Sequence, residues 1–255
     1  MKIPSLFSVL AAAAVLSAIP ATPAFAQQNR GKVTVITELT PKPGAEKQFE
    51  DGLKQLAAWR ASINDPQSHA VFEQITGENQ GTYLLVRRWM HWADLDKPAP
   101  SSAQNRAEEE KFMGGTIAKG VRKVYEEIPE LDHPARATRP LKYYDIETFH
   151  VPLAKQAQFA AAMARFREAI EKTKASVDVN FLALDEGGQF GTWQVVFGHG
   201  SWADFGGPSP DQILVNAFGK EEGTAIVNQV SDLVGGSFTM DVVMFRPDLS
   251  YFPSK

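Results

Sequence analysis

Residues 81–86 read Gly-Thr-Tyr-Leu-Leu-Val, and the chain repeats this stretch 110 positions later as Gly-Thr-Trp-Gln-Val-Val at residues 191–196. The triplet Trp-Ala-Asp at 92–94 recurs at 202–204, and the prolines at 98 and 100 recur at 208 and 210 without a gap. From Gly77 to Pro100 the copies share nine identities in 24 positions, where unrelated segments would share roughly one or two. The chain therefore contains a duplicated structural unit.

The first 26 residues have the pattern of a secretory leader. Lys2 supplies a positive start, an apolar run follows from Leu6 to Ile19, and residues 24–26 read Ala-Phe-Ala, a small-x-small cleavage site. The alternative is a retained membrane anchor, but the run is short and polar residues follow it at 27–30. We expect cleavage after Ala26 and a soluble mature protein in the periplasm or secreted, with no membrane partner.

Composition narrows the class of protein further. The chain has no cysteine, which excludes disulfides and a lipid-modified cysteine. Hydrophobic residues make up 44% and charged residues 22%, as in ordinary globular proteins. A net charge of −4 with scattered Lys and Arg argues against a nucleic-acid partner.

Each copy begins with a predicted strand, a helix and a hairpin. The strands are Val33–Thr40 and Tyr143–Val151, both rich in β-branched or aromatic residues. Apolar residues at i, i+4 and i+7 then predict a helix that lies on a sheet in each copy. These residues are Phe49, Leu53 and Leu56 in one copy and Phe159, Met163 and Phe166 in the other. The hairpin strands are 70–76 with 82–89, and 180–185 with 192–199, joined through glycine-containing turns.

A second helix is predicted in each copy. It is marked by Met113, Ile117, Val121 and Val124 in the first copy and by Ile226, Val230 and Leu233 in the second. The second copy ends in a strand at Phe238–Arg246, whereas the first is about ten residues shorter here. We therefore expect a truncated fourth strand in the first copy, unit bounds of 31–128 and 141–250, and a linker at 129–140.

The order strand, helix, two strands, helix, strand is the ferredoxin-like plan of the α+β class. Two such units can pack sheet to sheet, as an intramolecular pseudo-dimeric barrel that encloses a cavity. With Pro43-Gly44 before the helix, Phe49 inside it, and Trp92-Ala93-Asp94 after the strand that ends near Trp89, the chain resembles the dimeric α/β-barrel superfamily. That superfamily includes the antibiotic-biosynthesis-monooxygenase-like proteins. The resemblance covers most of residues 31–250, as two fused copies.

The resemblance implies small molecules bound between sheet and helices or inside the barrel. It implies a range of activities: cofactor-free oxygenation, haem chemistry, isomerisation, or no catalysis. None of them comes with a catalytic motif that can be placed on this chain, since the shared residues are packing positions.

Candidate site residues lie on the third strand of each copy, where side chains two apart share a face. One row is Tyr83, Leu85, Arg87, Trp89 and His91, and the other is Trp193, Val195, Phe197 and His199. Bulky rings with a few polar tips are typical of a pocket wall for a flat, partly polar ligand. The alternative is that the rings simply fill the barrel core.

Arg87 and the histidines are the candidate catalytic groups. In an apolar row Arg87 needs a partner, either Glu73 on the neighbouring strand or an anionic ligand. His91 and His199 follow or end strands and could act as acid or base at the mouth of a cavity, or be solvated. His150 is a weaker candidate, and His69 and His133 are interpreted as loop residues.

The sequence predicts no metal site and no cofactor, because the histidines lack ligand spacing and no nucleophile elbow or phosphate loop occurs. Haem stays open, since one axial His suffices. Asp94 and Asp204 are predicted to cap short helices.

Two functional hypotheses remain. The first is a cofactor-independent oxygenase or isomerase that binds a small, partly aromatic molecule, and the second is a non-catalytic binding or envelope protein with a filled barrel. A monomer or a homodimer is expected.

Overall fold

The computed structural model describes residues 32–96, 102–133, 141–236 and 238–253. The predicted leader at 1–26 and residues 134–140 of the predicted linker lie outside the described residues. Within the described part of the chain, no helix has the length and apolar character needed to cross a membrane.

The described residues form eight strands, six α-helices and two short 3-10 helices, Leu153–Lys155 and Trp202–Gly206, the latter directly after the seventh strand. The strands are β1 (Val33–Pro41), β2 (Ala70–Gln74), β3 (Tyr83–Met90), β4 (Ile117–Glu127), β5 (Tyr143–His150), β6 (Asp178–Glu186), β7 (Thr192–His199) and β8 (Phe238–Phe245). The helices are α1 (Glu46–Ser62), α2 (Trp92–Asp96), α3 (Ser102–Met113), α4 (Gln156–Thr173), α5 (Pro210–Phe218) and α6 (Lys220–Val234).

All eight strands close into one antiparallel barrel in the order β1-β3-β2-β8-β5-β7-β6-β4. Each half supplies four neighbouring strands in the ferredoxin-like order, β4-β1-β3-β2 and β8-β5-β7-β6. The seams between the halves are the β2–β8 and β4–β6 ladders. Pairing both edges of each half leaves no free strand edge in the barrel. The predicted fold, two ferredoxin-like units in an intramolecular α/β barrel, is confirmed.

Alternation along the strands gives each sheet an inward and an outward face, and both are apolar. The inward core contains Ile36, Leu84, Val86, Tyr125, Ile146, Leu182, Leu184 and Val243. On the outward face, α1 buries the predicted stripe of Phe49, Leu53 and Leu56, and α4 buries that of Phe159, Met163 and Phe166. Each of these side chains contributes about 1.5–3 kcal/mol by leaving water, which explains why the helices dock there.

The predicted second helix of the first copy is wrong beyond Met113, the first of its four marker residues. Helix α3 ends at Met113, and Ile117 begins the long strand β4, which pairs with β1 from Val33 to Pro41. The spacing of Ile117, Val121 and Val124 imitates a helical stripe, but Val121 faces the barrel interior and Val124 the outer core. The predicted truncation of the fourth strand is therefore also wrong. The second copy differs by placing two helices, α5 and α6, where the first copy has α3 alone after its short helix.

The short helices after β3 and β7 are capped as predicted. The carboxylate of Asp94 accepts the backbone N–H of His91 at 2.9 Å, and that of Asp204 accepts the N–H groups of Gly200 and Ser201. These carboxylates satisfy free backbone donors at the start of a helical turn, which accounts for their recurrence in both copies.

Candidate functional site

The predicted aromatic row lies on the outward face of the barrel, under the helices. Tyr83 packs on Phe49 of α1 with its hydroxyl donating to Glu50 at 2.7 Å, and burial raises the pKa of that hydroxyl. Trp193 packs on Phe159 of α4, and Phe197 on Phe166. The prediction that this row lines the barrel interior is wrong. Because both strand faces are apolar, ring content did not show which face points inward.

The strand does not stay regular to Trp89. Its φ is +58°, and the pairing of β1 with β3 shifts between Val33 and Val35, so a bulge interrupts the alternation. Trp89 is consequently 65% exposed and contacts only the guanidinium of Arg88 among aromatic or cationic neighbours in the described chain. The predicted row of Arg87, Trp89 and His91 is therefore not a continuous wall.

His91 and His199 do not reach the barrel cavity described below. Both follow or end strands that begin beside that cavity: Thr82, just before β3, and Thr192, the first residue of β7, line it. The histidines therefore lie at the opposite end of the barrel. His91 is exposed, and the ring of His199 stacks on Phe205 with centroids 4.0 Å apart. The structure does not bring these two predicted catalytic residues together with a cavity.

The predicted ion pair between Arg87 and Glu73 does not form. Glu73 lies opposite Tyr83 and binds Arg246 at 2.7 Å, whereas Arg87 lies opposite Val35, farther along the strand, and donates to the side chain of Gln67 at 3.0 Å. The two groups are thus held by different partners on the outward face.

A cavity of about 340 Å³ opens at the end of the barrel formed by the hairpin turns. Its inward-facing wall is polar: Lys123 binds Glu38 at 2.7 Å, Thr192 lies 3.0 Å from the His150 ring nitrogen, and Lys119 and Asp241 also line it. Burial raises the pKa of Asp241. Of the histidines weighed from the sequence, His150 alone lines this cavity.

The floor of the cavity separates it from a smaller apolar space of about 80 Å³ deeper in the barrel. Four side chains border both spaces, namely Leu84, Ile146, Gln194 and Val243. Gln194 is the polar member of this set, and its amide oxygen is buried without a hydrogen-bond partner in the structure. An unpaired buried acceptor costs about 1–3 kcal/mol. A molecule in the cavity that carries a hydrogen-bond donor could therefore pair with the Gln194 oxygen.

Polar side chains also lie at the other end of the barrel. Arg88 donates to Asn180 at 3.0 Å and lies 3.5 Å from Glu127, which also accepts the hydroxyl of Thr34. The inward core and the smaller space of about 80 Å³, which Arg88, Asn180 and Thr34 also border, lie between these side chains and the cavity.

A buried charged cluster on the outward face escaped sequence reasoning. Arg60, 4% exposed, donates to Asp65 at 2.9 Å and to a ring nitrogen of His69 at 2.7 Å. Burial lowers the pKa of His69 to about 4, so the ring is neutral at pH 7. Burial alone would raise the pKa of Asp65, but its hydrogen bonds outweigh burial and lower that pKa to about 2. With Tyr251 donating to the Asp65 backbone, the cluster joins the end of α1 to the chain terminus, a structural role.

Two further carboxyl groups lie on the outward face of β5. Burial, reinforced by Asp145 and Asp211, raises the pKa of Glu147 to about 7. Asp145 has a buried oxygen without a partner, and burial also raises its pKa. Periodicity could not single them out, because they occupy core-facing strand positions usually held by apolar residues. Across the described residues, no three His, Asp or Glu side chains form a group that could hold a metal ion.

Comparison with known proteins supports the fold and gives no family. No family model matches the chain, and no curated protein matches it. Among solved structures, a proposed monooxygenase from Fusobacterium nucleatum has a TM-score of 0.57 at 8% identity, covering 84% of this chain and 92% of that one. One from Lactobacillus acidophilus has a TM-score of 0.54 at 7% identity, with coverage of 88% and 97%.

An anthrone oxidase-like protein has a TM-score of 0.53 at 14% identity, covering 85% of this chain and 92% of that chain. At such identities the likeness concerns the fold alone. The chain therefore shares with these proteins the fold of a closed α/β barrel built from two ferredoxin-like units, as the sequence predicted.

Proposed function

We propose that the protein binds a small, partly aromatic organic molecule in the cavity at the hairpin end of the barrel. The observation that carries the proposal is the cavity itself, about 340 Å³ with an apolar floor and a polar wall. Ligand pockets of proteins begin at about 300 Å³ and combine apolar lining with a few placed polar groups. A ring would lie on Leu84, Ile146 and Val243, and its polar substituents would face the wall.

The arrangement supports binding more directly than catalysis. His199, His91 and Arg87, predicted as catalytic, lie outside the cavity, and His150 is the histidine placed at it. The named neighbours include proposed monooxygenases, so a cofactor-independent oxygenase or isomerase is the second candidate, with His150 as its acid or base. The rival hypothesis of a filled, non-binding barrel leaves the open cavity unexplained.

The location of this binding is also a proposal. The leader pattern at residues 1–26 supports export, and cleavage after Ala26 would release the barrel outside the cytoplasm. Determining the N-terminus of protein recovered from a periplasmic fraction tests this. An N-terminus at Met1 in cytoplasmic protein would contradict it.

The test of binding uses mature protein, residues 27–255. Denaturing it and analysing the released material by mass spectrometry would identify a co-purified ligand, and a panel of phenols and quinones tests added ligands by melting temperature. Thr148→Trp fills the cavity from β5, whereas Thr224→Trp makes the same change on exposed α6.

We expect binding by the wild type and Thr224→Trp and none by Thr148→Trp. Ligand-free protein whose melting temperature ignores the whole panel would contradict the proposal, as would binding that survives in Thr148→Trp.

A further inference from the structure

The fusion of two units has made the cavity electrically asymmetric. Ile36 of the first copy and Ile146 of the second are equivalent positions, 110 residues apart. Ile36 pairs with Lys123 on β4, and Ile146 pairs with Asp241 on β8. Lys123 and Asp241 are therefore equivalents related by the internal repeat, and they carry opposite charge. A barrel of two identical chains would place like charges there.

These two charges face each other across the barrel. Strands β4 and β8 are four places apart in a ring of eight, so they form opposite walls. Lys119, two inward positions from Lys123, extends the basic wall, and both lysines line the cavity with Asp241. Glu38 neutralises one of the two lysines, and the basic wall keeps a net positive charge opposite an acid.

The floor carries the same asymmetry. Gln194 is the equivalent of Leu84, so one copy places an amide where the other places a methyl-bearing side chain. The Gln194 oxygen is buried and has no partner among the described residues, whereas Lys123 is bound to Glu38 and Asp241 interacts with Gln74. The floor acceptor can therefore take a hydrogen bond from a donor group of a bound ligand.

We propose that the ligand is a small aromatic acid with a hydrogen-bond donor at the far end of its ring. Its carboxylate lies at the wall of Lys119 and Lys123, its ring lies against the apolar floor residues, and its O–H or N–H donates to Gln194. An eight-stranded barrel has room for one such molecule. This inference rests on the proposed function and adds the class of ligand.

The probes are 4-hydroxybenzoate, benzoate and phenol, measured by isothermal titration calorimetry on mature protein. 4-Hydroxybenzoate carries both the carboxylate and the hydroxyl, benzoate carries the carboxylate alone, and phenol carries the hydroxyl alone. We expect 4-hydroxybenzoate to bind about tenfold or more tightly than benzoate, because a lost hydrogen bond to a buried acceptor costs this much or more. It should also bind more tightly than phenol, because phenol lacks the carboxylate that would pair with the lysines. Gln194→Leu should weaken 4-hydroxybenzoate by about the same factor and leave benzoate nearly unchanged.

Lys119→Ala, on an exposed residue, supplies the complementary test. It should weaken benzoate and 4-hydroxybenzoate alike and leave phenol unchanged. Gln194→Leu should also raise the melting temperature of the free protein, since it removes an unpaired buried acceptor, whereas a purely structural glutamine would make the variant less stable.

The outcomes separate this inference from the proposed function. Equal binding of phenol and 4-hydroxybenzoate, or discrimination that survives Gln194→Leu, would overturn the ligand class while the cavity stands as a binding site. Absence of binding by these probes overturns the class as well. Absence of binding by the wider phenol and quinone panel too, with no co-purified ligand, would overturn the proposed function itself.

Discussion

Replacing Glu147 by Gln should stabilise the protein at neutral and alkaline pH. The side chain lies on the outward face of β5 opposite Val195 of β7 and Met240 of β8, and Asp145 and Asp211 are its charged neighbours. Burial raises its pKa from 4.5 to about 7. The folded state therefore resists an ionisation that the unfolded chain undergoes freely above pH 4.5.

The size and sign of the effect follow from this shift. As pH rises from about 4.5 through 7, the unfolded chain loses the proton first, so the free energy of unfolding falls. A shift of about 2.5 units, at 1.36 kcal/mol per unit, gives a loss of about 3 kcal/mol by pH 8. Gln keeps the shape and cannot ionise, so the variant should escape this loss.

Urea denaturation at pH 5, 6, 7 and 8 at constant ionic strength measures the effect. The difference between Glu147→Gln and wild type should be small at pH 5 and grow to about 3 kcal/mol at pH 8. Glu221→Gln, on an exposed residue of α6, is the matched control and should follow the wild type. A difference that does not change with pH would refute the reasoning.

Two further predictions concern other parts of the barrel. Burial lowers the pKa of His69 from 6.5 to about 4, so the free energy of unfolding of the wild type should fall by about 3 kcal/mol as pH falls from 6.5 to 4. His69→Gln should reduce this fall in urea unfolding, and a fall of the same size in the variant would contradict the prediction. Gly187→Ala should cost more than Gly81→Ala in the same assay. Both have positive φ, but only at Gly187 would the added carbon lie 2.2 Å from a backbone oxygen, that of Arg122 across the β4–β6 seam. Equal costs would contradict this.

The fold was predictable because the duplication repeats each weak sequence pattern, so that the second copy supports the assignment made from the first. Phe49 and Phe159 marked equivalent helices, and the hairpins of both copies ended in Trp-Ala-Asp. The error at Ile117–Val124 arose where β-branched residues happened to be spaced at three and four. Pairing with β1 decides that segment, and no local pattern carries this information.

The site was less predictable, because strands buried on both faces do not show which face is inside. The site was predicted on the helix-covered face because Tyr83 and Trp193 are aromatic, whereas the cavity is lined by the even-numbered row that includes Leu84 and Gln194. The signal that could have found Gln194 is the comparison of the copies. An amide in one copy replaces an apolar residue in the other, just as Arg87 replaces Phe197. Only the structure shows which of these two differences between the copies faces a cavity.

The central claim is that the inside of the barrel is where a ligand binds, and methyl-resolved NMR tests it directly. Mature protein with labelled Ile, Leu and Val methyl groups would be titrated with 4-hydroxybenzoate. The account predicts saturable chemical-shift changes at the methyl groups of the floor residues Leu84, Ile146 and Val243. The methyl signals of an outward set, Leu53, Val195 and Ile226, which lie between the sheet and its helices, should not change. Shifts confined to the outward set would contradict it.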